Sequence, residues 1–348
     1  MKILLFGEYS GLYKNLKEGL DELGHETKIV SRGDGWKKIE SDIKIVSSKV
    51  RGLSRITKIL GYIKVSRHLK KYDVVQIINP YEVYLPPATK ILYNFLYKSN
   101  DKIFISAVGD DYYYFKKMWE YRYNPYMNQN KDDICKKYKK KITDYILQKS
   151  QGVISGSYDY SEAYRNHYKF KGTIPFPINT NKIVYKENKV KEKIVIFHGL
   201  NREDFKGTEY IKEALSKIKD KYGDKVEIII DGRLPLEEYL KVIERTNIII
   251  DQCKSYGYGM NAIYSLAMGK VVLSGAEPEA IDELGIKGFC PVVNIIPNSE
   301  QIFIEIEKFI LNPNLIQEYG MNGRKYVEKY HDYKKVAQKY LDIWEQSI

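Results

Sequence analysis

Ile194-Val195-Ile196-Phe197-His198-Gly199-Leu200-Asn201-Arg202-Glu203-Asp204-Phe205-Lys206-Gly207-Thr208 passes from an apolar run, through a charged loop bounded by glycines, into a helical pattern over 209–218. The apolar run reads as a buried strand, because β-branched and aromatic residues follow one another without polar alternation. Strand, loop and helix in that order make the unit of a parallel α/β sheet. In such sheets ligands gather at the carboxyl ends of the strands, where the free amides of helix N-termini meet anions. Arg202 and Lys206 stand in that position, where a guanidinium and an ammonium beside free amides would hold a diphosphate; two solvated basic residues are the plainer reading.

The same grammar extends in both directions. Short apolar runs at 2–6, 27–30, 43–46, 74–78, 103–106 and 153–155 read as buried strands with helical patterns between most of them. A second series lies at 194–197, 226–230, 247–250 and 271–273. Two successive α/β domains follow, which 348 residues also favour over a single core. Pro175-Phe176-Pro177 and the polar run Lys186-Glu187-Asn188-Lys189 interrupt the periodicity between the series, so the boundary is set near residue 180, giving domains 1–180 and 181–330. Val336, Tyr340, Leu341 and Trp344 then repeat at helical spacing in a closing amphipathic segment, 331–348.

Composition narrows the classes. With 43% hydrophobic and 29% charged residues the chain is expected to be folded, and no apolar run approaches the ~20 residues of a membrane span. A cytoplasmic protein is expected. Cys135, Cys253 and Cys290 are odd in number and widely spaced, which suits neither a disulfide framework nor a zinc site. The formal charge of +12 is unevenly placed, with +13 in residues 1–180 and −1 in the remainder. Between Lys49 and Lys71 eight basic residues and no acidic ones interleave with Leu53, Ile56, Ile59, Leu60, Ile63 and Leu69, and Lys136-Lys137-Tyr138-Lys139-Lys140-Lys141 follows later. Peripheral contact with an anionic membrane and a core-packed helix with a solvated basic face both account for that pattern.

Other strand-end loops carry further candidates. Gly7-Glu8-Tyr9-Ser10-Gly11 follows the first strand, and Gly7 and Gly11 would let backbone approach a ligand, although the dinucleotide spacing of glycines is not met. Tyr256-Gly257-Tyr258-Gly259-Met260-Asn261-Ala262-Ile263-Tyr264 opens a helix whose amides face the strand ends. Asp110 and Asp111 end another strand, as carboxylates that assist transfer or as caps of the next segment. Tyr112-Tyr113-Tyr114-Phe115 with Trp119, Tyr121, Tyr123 and Tyr126 would offer aromatic faces to sugars, against a background of 32 tyrosines. His198 either touches a ligand or ends its strand.

Taken together, Lys2 through Gly7, Gly199 through Arg202 with Lys206-Gly207, and Ala267-Met268-Gly269-Lys270-Val271-Val272 resemble the nucleotide-sugar glycosyltransferases of the GT-B fold, most closely glycosyltransferase family 4. The resemblance covers nearly the whole chain. It implies two Rossmann-like domains facing a cleft, the first binding acceptor and the second donor, with the closing helix crossing back to the first. It also implies metal-free transfer with retention of configuration, no cofactor, and Arg202 and Lys206 on the donor diphosphate. Donor contacts would further involve Gly7, Gly11, His198, Gly199, Tyr256, Tyr258, Gly259, Met260, Asn261 and Tyr264. The two glutamates usual in the family, eight positions apart, are replaced by Tyr256 and Tyr264, with Asp251 nearby as a substitute carboxylate. The short link between Ile230 and Ile248 points to base contacts from Asp231, Gly232 and Arg233. The acceptor would be a glycan or a lipid-linked saccharide, for a surface polysaccharide or other glycoconjugate. The competing readings are a nucleotide-sugar epimerase of the same fold, a nucleic-acid-binding protein using the basic half, and a catalytically silent relative. No helix-turn-helix, zinc finger or RNA-binding pattern supports the second of these.

Overall fold

The computed structural model describes residues 1–34, 39–46, 54–136, 138–232 and 236–346. The chain divides into two compact units, one of Met1–Met118, Asn130–Pro177 and Tyr333–Ile348, the other of Trp119–Gln129 and Ile178–Asp332.

The first unit is built on seven parallel strands, β1 (Lys2–Phe6), β2 (Glu26–Ser31), β3 (Ile43–Lys44), β4 (Val74–Ile77), β5 (Lys102–Ala107), β6 (Gly152–Ser155) and β7 (Phe170–Thr173), in the order β3-β2-β1-β4-β5-β6-β7. Ile3, Leu4, Leu5 and Phe6 are fully buried, as a central strand covered by helices on both faces requires. The Leu12–Glu22 helix turns Leu12, Leu16 and Leu20 inward. Against it lies the Tyr333–Gln346 helix, which buries Val336, Tyr340, Leu341 and Trp344. The approach is close: a Cβ on Gly19 would lie 2.3 Å from the Tyr333 carbonyl oxygen, so the two helices meet only because that position is glycine. A polar chain threads the apolar packing there. Trp344 Nε1 donates to Gln76 Oε1 at 2.9 Å, Gln76 Nε2 donates to Ser106 Oγ at 2.8 Å, and the Tyr13 hydroxyl meets the same Oγ at 2.9 Å.

The second unit has five parallel strands, β8 (Ile194–Gly199), β9 (Val226–Asp231), β10 (Ile248–Ile250), β11 (Val271–Ser274) and β12 (Val292–Asn294), ordered β12-β11-β10-β8-β9. Between β8 and β10 the order of strands reverses, because β9 joins β8 on one side and β10 joins it on the other. The loops after β8 and β10 leave the sheet at that switch point, the edge where parallel α/β sheets hold ligands.

Several details depart from the sequence reading. β7 and β12 were not anticipated, since Phe170-Lys171-Gly172-Thr173 carries no apolar run and Val292-Val293-Asn294 is only three residues long. Trp119–Gln129, read with the first domain, is part of the second unit, and the division there falls between Pro177 and Ile178. The aromatic series is thereby divided: Tyr114 and Phe115 are buried in the first unit, while Tyr121, Tyr123 and Tyr126 belong to the second. Among the described residues no helix is long and apolar enough to cross a membrane.

Candidate functional site

At the switch point of the second sheet the loops after β8 and β10 touch. After β8 the chain turns at Arg202, whose φ of 61° is left-handed, then forms the short Glu203–Lys206 turn and bends again at Gly207. A non-glycine residue in that region stores roughly 1–2 kcal/mol of strain, a cost that clusters at working sites. At Gly207 a Cβ would lie 2.4 Å from Cys253 Sγ, so the loop after β10 fixes this position as glycine. Cys253 N donates to the Lys206 carbonyl at 2.9 Å. The Cys253 thiol is pushed up to about 12 by burial and acts as packing.

Lys206 Nζ of the first loop reaches Asp251 Oδ1 of the second at 2.9 Å, and Asn261 Nδ2 donates to the same oxygen at 2.9 Å. Asp251 is buried, which alone would raise its carboxyl; Lys206, together with the hydrogen bonds from Lys206 and Asn261, outweighs that burial and holds it below the usual carboxylate range. An ammonium and an ionised carboxylate therefore face each other at the switch point. The exposed Arg202 guanidinium lies 3.7 Å over the centre of the Phe205 ring. Beneath the loop, Lys254 Nζ donates to the Asp204 carbonyl at 3.2 Å and to Glu209 Oε1 at 2.8 Å, with its own side chain 1% exposed. The sequence reading did not name Lys254, though it follows Asp251 in the same strand-end loop.

His198 has both ring nitrogens occupied within the unit. Nδ1 lies 2.8 Å from the Ile250 carbonyl and Nε2 lies 2.8 Å from Thr208 Oγ1, so Nδ1 carries the proton and Nε2 accepts from the hydroxyl. Burial brings the ring down to about 4, and it stays neutral. The residue ties β8 to β10 and to the next helix. A histidine lowered from about 6.5 in the unfolded chain contributes stability above that value and loses it as pH falls toward its folded value. The difference in melting temperature between wild type and His198→Gln should therefore narrow as pH is lowered from about 6.5 to about 4. A difference that is flat or grows across that range would show a ring already charged.

The glycine-rich stretch resolves into separate roles. Tyr258 is buried, its hydroxyl 2.6 Å from that of Tyr326 and 3.0 Å from His331 Nε2. Tyr256 is buried too, and its hydroxyl accepts from Arg122 N and Nε, both at 3.1 Å. Arg122 Nη2 also meets Glu277 Oε2 at 2.7 Å, and the Tyr123 hydroxyl donates to Glu277 Oε1 at 2.5 Å. Burial would raise the Glu277 carboxyl, but Tyr123, Asn294 and Arg122 together lower it. This clasp holds Trp119–Gln129 on the second unit. Neither Arg122 nor Glu277 was singled out from sequence. Glu277 lies three residues beyond the end of β11 and precedes Pro278 at a helix start, in a strand-end loop like those that carry the other candidates. Gly259 precedes the Met260–Ala267 helix with open space where a Cβ would stand, Met260 is buried, and Tyr264 is half-buried on that helix. Gly199 has only ordinary contacts at a Cβ, whereas one on Gly232 would lie 2.5 Å from the Leu200 carbonyl oxygen. Asp231 is exposed and accepts from Gly232 N at 2.7 Å; Arg233 lies outside the described residues.

In the first unit, Gly7 has φ +98° and a Cβ there would lie 2.2 Å from Ile78 Cγ2, so neighbouring packing accounts for that glycine. Gly11 N and Lys14 N donate to the two oxygens of Glu8 at 2.9 and 2.8 Å, capping the helix. Burial pushes Glu8 up to about 7 against those amides. Arg32 Nη2 pairs with the buried Glu82 at 3.1 Å, and the Tyr9 hydroxyl reaches the other Glu82 oxygen at 3.4 Å. Asp111 is fully buried and caps the Tyr112–Lys117 helix, accepting from Tyr114 N at 2.9 Å and from the Tyr164 hydroxyl at 2.7 Å. Its capping role accounts for it; burial pushes it up to about 6. Asp110 is half-buried, its carbonyl accepting from Asn79 Nδ2 at 3.3 Å. Among the described residues no group of three or more His, Cys, Asp or Glu could hold a metal ion.

Two parallel α/β units, with a helix that follows the second unit in sequence but packs on the first, define the GT-B fold. Solved structures carry the same fold along their length. Sucrose-phosphate synthase from Thermosynechococcus elongatus matches with a TM-score of 0.66 at 16% identity, covering 99% of this chain and 98% of that one. Anabaena HepE, in complex with UDP-glucose, matches with a TM-score of 0.65 at 12% identity over 99% and 100% of the two chains. WaaG, a glycosyltransferase involved in lipopolysaccharide biosynthesis, gives 0.58 at 12% identity over 99% of each. No family model matches the chain. By sequence it is 25% identical over 160 residues to an uncharacterized glycosyltransferase of Methanocaldococcus jannaschii, a match spanning 46% of this chain and 38% of the relative's length.

Proposed function

We propose that the protein transfers a sugar from a nucleoside-diphosphate sugar, bound on the second unit, to a glycan or lipid-linked acceptor bound on the first. One observation carries the reading: Lys206, oriented by Asp251, and the left-handed Arg202 stand together at the switch point of the second sheet. Breaking the bond between the anomeric carbon and the phosphate builds negative charge on the departing diphosphate. Preorganised cations beside loop amides stabilise that charge more as it develops than before. In a retaining, metal-free transfer the acceptor hydroxyl attacks the face from which the diphosphate leaves, and its proton passes to the departing phosphate oxygen. Such a step asks no base of the protein, consistent with the internal engagement of Asp111. Asp231 and Gly232 flank the position for the nucleoside. The HepE complex with UDP-glucose supports a nucleotide-sugar donor, and the uncharacterized glycosyltransferase from M. jannaschii supports sugar transfer. Synthesis of a surface polysaccharide or glycoconjugate, with peripheral contact at an anionic membrane, completes the reading.

A thermal-shift panel of UDP, GDP, ADP and CMP with their sugar conjugates tests it. A ligand at ~100-fold its dissociation constant adds ~2.7 kcal/mol to the folded state. The expected result is a base-selective rise in melting temperature for the wild type, strongly reduced in Arg202→Ala, whose exposed side chain can be removed without unfolding the unit. A wild type that responds to no nucleotide would overturn the reading, and sugar conversion with donor alone would move it to an epimerase.

A further inference from the structure

The Ser54–Val65 helix of the first unit is apolar on two faces, and only one of them meets the core. Tyr62 and Val65 are buried there, with Ile59 packed beside them. Ile56, Leu60 and Ile63 are 56, 57 and 59% exposed, and their i, i+4, i+7 spacing sets them in one row along the outside. A Cβ on Gly61 would lie 2.6 Å from the Val46 carbonyl oxygen, so the segment carrying Val46, itself exposed, lies against the same helix. A contiguous aliphatic strip on a water-facing helix costs solubility and marks a contact surface. The charges in the sequence that carries it all have one sign. Lys64, Arg67, Lys70 and Lys71 are exposed, Lys58 is half-buried, and no Asp or Glu occurs between residues 43 and 72.

We infer that this strip is a docking surface for an anionic lipid bilayer, with Ile56, Leu60 and Ile63 entering the headgroup–acyl boundary and the surrounding Lys and Arg side chains resting on lipid phosphates. The inference rests on the membrane contact in the proposed function and names the surface that makes it. Aliphatic side chains in a basic surround suit an anionic interface, where apolar burial and charge attraction act together. A second copy meeting the same strip would bring two cationic surfaces face to face, which opposes self-association.

Co-sedimentation of the full chain with vesicles tests the inference. Vesicles of about three parts phosphatidylcholine to one part phosphatidylglycerol should bind it, pure phosphatidylcholine should not, and raising salt from about 0.1 to about 0.5 M should release most of it. The Ile56→Ser, Leu60→Ser, Ile63→Ser triple variant should bind at least ~10-fold more weakly, since three apolar side chains leave the interface. Sedimentation velocity without lipid should give the same species for both proteins. Absence of binding to anionic vesicles, equal binding by the triple variant, or a wild-type dimer dissolved by the serines would each overturn the inference. Nucleotide-dependent thermal shifts are read on the same samples. A triple variant that keeps its nucleotide response is folded, and failure of the donor reading is seen separately from failure of the surface.

Discussion

Lys206→Ala should lower the melting temperature by about 10 °C and abolish any nucleotide-dependent stabilisation. The substitution leaves Asp251 buried with the Asn261 amide still donating to it, and removing one member of a buried ion pair costs about 3–5 kcal/mol. In a unit of this size each kcal/mol shifts the transition by about 2–4 °C. Asp251→Asn should be milder, because Lys206 is 14% exposed and its ammonium can turn to water, whereas the carboxylate at 3% cannot. The pair also sets a pH dependence. A carboxyl held below its unfolded value contributes stability at neutral pH and loses it as pH falls through the folded value. The acid sensitivity due to this pair should be absent in Asp251→Asn. A Lys206→Ala protein melting within about 2 °C of wild type would mean that the ammonium supports neither the loop nor its neighbour.

Trp344→Ala should cost about 4 kcal/mol in urea unfolding, within the ~3–5 kcal/mol typical of emptying a large buried aromatic site. The side chain is wholly buried, and its loss also leaves the Oε1 of Gln76 without its indole donor beneath the sheet. Trp344→Phe separates the two effects, since it keeps most of the packing and loses only the N–H, for about 1–2 kcal/mol. A cost below about 1 kcal/mol for the alanine variant would show that the helix adds little to the first unit's stability.

Sequence periodicity exposes the parts of this fold that depend on near neighbours. β1, with Ile3 to Phe6 wholly buried, and β8 stand out because strands covered on both faces need uninterrupted apolar runs. Arg202 and Lys206 stand out because both lie between the end of a strand and the start of a helix, where anions are held in parallel sheets. Partnerships across the chain stay hidden. Nothing local to Glu277 reveals that Arg122, 155 positions away, closes on it and on Tyr256. His198 shows the converse: strand-end position suggests a ligand contact, but only the spatial neighbours Ile250 and Thr208 reveal that both nitrogens are spent inside. On the Ser54–Val65 helix the spacing is legible, yet apolar residues at helical intervals do not say which row faces the core.

The division of the chain between the units bears on the order in which it is made. The polypeptide passes from one unit to the other after Met118, Gln129, Pro177 and Asp332. A ribosome that has released the seven strands of the first sheet has not yet supplied Trp344, so Gln76 and the Gly19 surface wait uncovered while Ile178–Asp332 of the second unit emerges. The unit begun first is thus completed last. During that interval its unfilled helix site is an apolar surface open to chaperones or to another nascent chain.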